Sequence, residues 1–255
     1  MATKTPTKPA AKSAPAKTTG TAVAKRASTN VVSIQEALKA QAAGMGDRLG
    51  AATGVTINLK AKKFTFPDGR KDDGPIELVI LDFIRMNAFY EGTYDEKNPT
   101  PPACFSLGEV ITNMAPSKNS PVAQSSACKG CPMNEFGSSG DGKACKNTVV
   151  CAVLPPDADE DTPIWLLKVS PTGLKGFDGY VRQVAAMTQM PPLSVVTTVS
   201  FDEDKAYPSL RFGNPVPNEN LAVHFARQEE AKKLLAVEPD VSGYQAPAPK
   251  KASRR

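Results

Sequence analysis

The sequence predicts a mainly β fold with a few helices, of the α+β class, held between two basic tails. Three observations predict it: short apolar segments that alternate with polar residues, turn clusters of Pro, Gly and Asp between them, and a cysteine-rich stretch without apolar periodicity. Met1 to about Asn30 consists almost wholly of Ala, Thr, Lys, Pro and Ser, which offers too little apolar surface to offset the entropy of ordering it. Residues 1–30 are therefore expected as a disordered tail, and residues 241–255, with Ala-Pro-Ala-Pro-Lys-Lys, as a second one. Residues 31–240 are expected to form one domain.

Within it, Ser33 and Glu36 make a capping box ahead of a short helix through about Ala43. Val55, Ile57 and Leu59 alternate with polar residues, and Phe64 and Phe66 flank Thr65, which predicts two strands closing at Pro67-Asp68-Gly69. Ile76–Ile84 predicts a third, more buried strand. Further strands are expected at Val149–Leu154, Ile164–Val169, Val195–Phe201 and Ser209–Phe212, giving a mainly antiparallel core. One helix should begin after Ser170-Pro171-Thr172 and run through Val184, and another should span Asn218 to about Val237.

The net charge is +5, but its distribution matters more than its size. Six basic residues and no acid lie in residues 1–30, and Lys250, Lys251, Arg254 and Arg255 close the chain. Residues 31–249 then hold 21 basic against 26 acidic residues, so no uniformly basic face is visible. A nucleic-acid groove would have to come from local clustering, for which Lys60, Lys62, Lys63, Arg70 and Lys71 are the candidates. No membrane span is expected, since Glu77 and Asp82 interrupt the longest apolar run, and no signal-peptide pattern opens the chain. This predicts a cytoplasmic protein in which cysteines serve as thiols or metal ligands.

Cys128-Lys-Gly-Cys131 is a Cys-x-x-Cys knuckle, with Cys104 before it and Cys145 and Cys151 after it. A turn of this length can present both sulfurs to one tetrahedral ion. Cys104 and Cys145 are the expected remaining ligands because both lie in loop-like sequence, whereas Cys151 sits in the apolar run Val149–Val153 and suits a core. Four thiolates fit a structural zinc ion or, as the alternative, an iron–sulfur cluster. His224, the single histidine, falls in the last predicted helix and suits a packing role better than ligation.

Catalytic patterns are weak. A zinc deaminase needs His-x-Glu with Pro-Cys-x-x-Cys, which the chain lacks, and Gly137–Gly142 lacks the Lys-Ser/Thr ending of a phosphate loop. Pro67-Asp68 followed by Glu77 faintly matches a metal-nuclease spacing, but the expected lysine position is Val79. The chain is read as a non-enzyme.

A specific resemblance runs through Leu81-Asp82-Phe83, Tyr90-Glu-Gly-Thr-Tyr94-Asp, Asn98-Pro99 and Pro102-Ala-Cys104-Phe, and continues in Ser120-Pro121 and Cys128-Lys-Gly-Cys131-Pro132. Phe136-Gly137-Ser138 and Gly142-Lys-Ala-Cys145-Lys-Asn147 complete it. These segments resemble a bacteriophage family of single-stranded DNA-binding proteins with a four-cysteine zinc site. Its architectural relative is the helix-destabilising protein of T-even phages. The resemblance implies an OB-like antiparallel β-barrel with a zinc-bearing loop insertion at about residues 98–148. It implies sequence-tolerant binding of single-stranded DNA in a bacterial host's cytosol, with phage replication or recombination proteins as partners. Binding would combine base stacking with backbone neutralisation, and the candidate stacking residues are Phe89, Tyr90 and Tyr94. Tyr180 and Tyr207 are weaker candidates, while Phe64, Phe66, Phe83, Phe201, Phe212 and Trp165 are expected in the core. The alternative function is a zinc-stabilised module for protein interaction or transcription control. The terminal Ala-Ser-Arg-Arg departs from the acidic tail such phage proteins often carry.

Overall fold

The computed structural model describes residues 56–92 and 100–246, all within the unit Ala52–Arg255. The expected helix at 33–43, most of both tails, Val55, Tyr94 and Asn98-Pro99 lie outside the described residues.

The strands are β1 (Phe64–Thr65), β2 (Lys71–Asp72), β3 (Ile76–Phe89), β4 (Cys104–Gly108), β5 (Cys145–Leu154), β6 (Trp165–Val169), β7 (Val195–Phe201) and β8 (Leu210–Pro217). The helices are α1 (Leu174–Thr188), α2 (Leu221–Ala226) and α3 (Gln228–Leu235). An antiparallel sheet runs in the order β6-β5-β3-β7-β8, and β4 pairs with β3 as well. The protein is thus mostly β with a few helices.

The 14-residue β3 organises everything else. Its first part, Ile76–Val79, pairs with β7, and its last part, Arg85–Phe89, pairs with β4 along the same edge. Opposite, β5 pairs with it from Val79 to Phe89. The register shifts between Ile80 and Asp82, leaving Leu81 as an extra residue. Strand side chains alternate between faces, so this bulge keeps Phe83, Arg85, Asn87 and Phe89 on the face already used by Ile76, Leu78 and Ile80. One face therefore begins apolar and ends polar.

The apolar part of that face packs under α1, whose Phe177, Tyr180 and Val184 recur at helical spacing and are buried with Val149, Cys151, Leu167 and Val199. Phe83 and Phe212 meet the Phe177 ring edge-on, each at 5.1 Å. The opposite face buries Val79, Leu81, Ala152 and Leu154 against Ala231 and Leu235 of α3. All the aromatics expected in the core are there, Trp165 included.

The sheet does not close into the expected OB-like barrel. β6 and β8 remain its two ends, because α1 and α3 cover its faces and no ladder joins the ends. The β1–β2 hairpin lies at the gap: the segment before it bonds by its backbone to β6, Ile57 N–H to the Leu166 carbonyl at 2.8 Å, and to β1, Asn58 with Thr65, while Phe64 packs on Phe201 at 4.4 Å and Phe66 lies 5.0 Å from Trp165. The hairpin turn at Pro67-Asp68-Gly69 forms as expected, with Gly69 at φ 88° and its N–H donating to the Phe66 carbonyl. The expected Val55–Leu59 strand is reduced to isolated bridges at Thr56 and Asn58.

Several boundaries differ from expectation, among them β8, which runs on to Pro217, and α1, which runs on to Thr188. β3 and β5 both reach further, to Phe89 and back to Cys145, because their polar ends pair with each other and β4 pairs with β3 there. The last helix is broken at Arg227, whose guanidinium donates to the Glu160 carbonyl at 2.8 Å. Finally, Val241–Ala246 does not simply leave the body: Tyr244 donates its hydroxyl to Glu91, and Glu238 accepts from Ser117 and Asn119 at 2.6 Å each.

Candidate functional site

At the polar end of β3 the ladder places Cys104 of β4 and Cys145 of β5 on either side of Phe89. Directly paired residues share a face, so both thiols and the Phe89 ring stand on the side that carries α1 further along. Above them lies the knuckle. Gly130 takes φ 76°, a left-handed conformation that glycine adopts without steric conflict, and the Cys131 N–H returns to the Cys128 carbonyl. The knuckle is tied down by Cys128 N–H to the Met114 carbonyl at 2.9 Å and by Asn134 Nδ2 to the Cys128 carbonyl at 2.9 Å.

Cys104, Cys128, Cys131 and Cys145 all line one cavity of about 20 Å³, together with Phe89 and Phe105. That is room for about one small sphere. Among the described residues no group of three or more His, Cys, Asp or Glu side chains stands at metal-holding spacing, so the four thiols are neighbours round a cavity and not a preformed cage. Cys128 currently donates its S–H to Ser106 Oγ at 3.2 Å.

The donor set nevertheless fits a thiophilic cation. The Cys145 thiol is pushed up to about 12, first by burial and then by Cys128, Cys104 and Cys131, with Lys143 easing it. Clustered thiolates in an apolar cavity repel one another, and a bound divalent ion reverses that balance by lowering each thiol's pKa. Cys151 lies apart, fully buried in the main core between Phe83 and Leu167, and its thiol is pushed up chiefly by burial.

Beside the cysteine cavity opens a larger cleft of about 410 Å³. Its floor is Arg85 and Asn87 of β3 with Asn147 of β5; its walls are Leu174 at the start of α1, Ile111 and Met114, and the knuckle residues Cys128, Lys129 and Gly130. Lys143 and Glu135 stand at its rim. Asn147 Nδ2 donates to Asn87 Oδ1 at 2.6 Å, and Arg85 is held by Asp178 of α1. Every buried side-chain N and O atom among the described residues has a partner. Cys128 belongs to both cavities, so the thiol cluster forms part of the cleft wall.

The residues proposed from sequence for DNA contact fall into two places. Lys60, Lys62, Lys63, Arg70 and Lys71 surround the β1–β2 hairpin, at the Ile76 end of β3. Phe89 and Tyr90 sit at its other end, roughly 40 Å away at about 3.3 Å per residue. They do not form one groove. The hairpin cations are also interleaved with carboxylates: Lys63 pairs with Asp73 at 3.3 Å, and Arg70 lies over the Phe66 ring at 4.1 Å. Lys62 donates to the Glu203 carbonyl at 3.4 Å. Phe89 is half-buried in the cysteine cavity, while Tyr90 and Tyr207 are exposed and Tyr180 is buried with its hydroxyl on Thr197. Asp68 is occupied in the hairpin turn, accepting from the Arg70 N–H at 2.9 Å, and Glu77 lines a different cavity beneath it.

Arg85, Lys129, Lys143, Asn87 and Asn147 were not legible as a group. They are spread over 63 residues of sequence; the β3–β5 ladder brings Arg85, Asn87 and Asn147 together, and the knuckle and the loop before β5 add Lys129 and Lys143. No helix among the described residues is long and apolar enough to cross a membrane. No protein-family model, curated protein or solved structure matches the chain.

Proposed function

We propose that this chain binds single-stranded DNA without reading its sequence, and that the strand lies in the cleft between α1 and the cysteine-bearing segment. The observation that carries the reading is the composition of that cleft. Lys129 and Lys143, with Arg85 already paired to Asp178 and Glu135 as the one carboxylate of the lining, bring a net positive charge to a pocket whose floor is two amides and whose wall includes the apolar Ile111 and Leu174. Cations that neutralise phosphates, with apolar walls for base faces, are what sequence-tolerant strand binding requires. A cleft of 410 Å³ is of the size that holds one nucleotide's base and sugar.

Zinc is the proposed resident metal, held by Cys104, Cys128, Cys131 and Cys145. Its contribution would be structural, because a closed four-thiolate site leaves no open coordination position. It would lock the knuckle, and with it Lys129, onto the ends of β4 and β5. The biological setting proposed is phage DNA replication or recombination, following the resemblance of the cysteine-rich segments.

The test has two arms on the full chain. Elemental analysis should give about one zinc per chain and no absorption near 400 nm, where an iron–sulfur cluster would be brown. Fluorescence anisotropy with labelled oligo-dT should show binding that exceeds duplex binding and weakens steeply with salt, since each phosphate contact releases a counterion. Equal affinity for duplex, or no binding, would overturn the reading.

A further inference from the structure

Phe136 is the most exposed large apolar side chain among the described residues, at 79%. Its exposure is built in. Gly137 N–H donates to the Gly142 carbonyl at 3.0 Å, Ser139 and Gly142 exchange backbone bonds at 3.2 and 3.1 Å, and the Ser138 hydroxyl donates to the Glu135 and Met133 carbonyls. Ala144 N–H in turn donates to Ser138 Oγ at 2.9 Å. Six internal hydrogen bonds and a Gly137 at φ 89° fix the backbone of this loop tip, with the ring outward. A single exposed apolar side chain is ordinary on a protein surface, so what sets this one apart is the braced loop beneath it and the cation in contact with it.

The surroundings identify its chemistry. Lys143 Nζ lies 5.0 Å from the Phe136 ring centroid, a cation–π contact, and the same lysine lines the cleft rim. Lys146 lies exposed just beyond it, with its ammonium on the Lys143 carbonyl. A largely exposed aromatic ring with a cation over one face, at the mouth of a pocket lined by Lys129, the Asp178-paired Arg85 and the single carboxylate Glu135, suits a ligand that has both a planar ring and a negative charge. A protein partner's apolar side chain would use the ring but would gain nothing from the lysine. The geometry points to Phe136 as a stacking platform for one nucleobase, with Lys143 neutralising the adjoining phosphate. This inference rests on the single-strand reading above and specifies where the strand leaves the cleft.

The fold also explains how the platform is positioned. Phe136 follows Cys131 by five residues and Lys143 precedes Cys145 by two, so both ends of the loop that carries them are anchored by members of the thiol cluster. The backbone beneath the ring is braced by the loop's own hydrogen bonds, so less backbone freedom is lost when a base stacks on it.

The test uses the full chain with Phe136→Ala, Phe136→Trp and Lys143→Ala, read by oligo-dT anisotropy with thermal unfolding as a folding control. Loss of one stacked base weakens binding about 5- to 150-fold, so Phe136→Ala should fall in that range while its melting is unchanged. Lys143→Ala should lower the salt slope by about one. Phe136→Trp should retain affinity, and its indole fluorescence should be quenched by oligo-dT; the chain's single native tryptophan, Trp165, is buried at 6% exposure and serves as the unquenched reference. Wild-type binding with unchanged Phe136→Ala affinity and no Phe136→Trp quenching overturns the platform and leaves the single-strand reading standing. A wild-type chain that does not bind oligo-dT overturns both.

Discussion

The two halves of β3 solve the problem of covering a sheet in different ways. From Ile76 to Phe83 the strand is roofed by helices: α1 lays Phe177, Tyr180 and Val184 over one face and α3 lays Ala231 and Leu235 over the other. From Arg85 to Phe89 α1 contributes Asp178, which holds Arg85, and Leu174 at the cleft wall, and the rest of the cover is an irregular segment with the Cys128–Cys131 knuckle at its centre. The first half is held by apolar burial, at roughly 25 cal/mol per Å². The second buries polar side chains, Asn87 and Ser106 among them, and gathers cysteines where large apolar residues are scarce. The difference teaches that a loop can be made into a surface with fixed cations only if something other than burial closes it.

The sharpest way to break this comparison is to remove the closure. On the proposed zinc reading, Cys131→Ala should abolish stoichiometric metal binding and open the segment between β4 and β5 to proteolysis, while the sheet under α1 keeps its near-native circular dichroism. Metal-dependent folding is typically all-or-none for the segment concerned. A single cooperative collapse of the whole chain would show that the halves are not separable. The opposite perturbation is Phe177→Ala, which deletes a fully buried ring in contact with Phe83 and Phe212. It should cost about 3–5 kcal/mol in denaturant unfolding. Zinc should still be retained below the transition.

These two halves were unequally legible in the sequence. The burial-driven half was readable because alternation and turn residues report directly on which face is apolar: β7 was expected at Val195–Phe201 and is found there. The core aromatics, the Pro67–Gly69 turn and the position of Cys151 followed from the same logic. The ends of β3 and β5 were not, since Arg85, Asn87, Lys146 and Asn147 carry no strand-like apolar period; tertiary pairing overrides local pattern there. β4 was missed for a related reason, being only Cys104–Gly108 between prolines and a polar loop. The four cysteines could be grouped from the sequence because Cys-x-x-Cys is a local signal, and the structure brings them round one cavity. The cleft could not be read, because its residues are distant in sequence, and spacing along the chain does not show that the hairpin lysines and the Phe89–Tyr90 pair stand at opposite ends of β3.

A smaller perturbation asks which end of β3 meets DNA. Lys129→Ala with Lys143→Ala should weaken oligo-dT binding about tenfold, equivalent to about 1.4 kcal/mol, and reduce the salt slope by about two. Lys63→Ala with Lys71→Ala removes the same charge at the hairpin and should change the slope far less. Equal effects from the two pairs would return the hairpin to the binding site.

The mildest test sharpens the comparison from the helix-covered side. His224 is buried at the junction of α2 with the sheet, its Nδ1 3.1 Å from Asn218 Oδ1 and its Nε2 3.1 Å from the Pro155 carbonyl. Asn218 is oriented by its own Nδ2 bond to the Leu193 carbonyl at 2.8 Å, so the ring faces two acceptors and can donate to only one of them while neutral. Burial nonetheless holds its pKa below the ordinary value of 6.5, opposed by the bond to Pro155. A histidine whose folded pKa is depressed binds its proton more readily when unfolded. Stability from this residue is therefore complete above about pH 6.5 and is lost as pH falls through that value toward the folded pKa. His224→Gln should flatten the pH dependence of the denaturation midpoint between pH 7 and 5 while leaving zinc content unchanged. A flattening accompanied by zinc loss would mean that the helix-covered half and the cysteine-closed half are coupled through β3 after all.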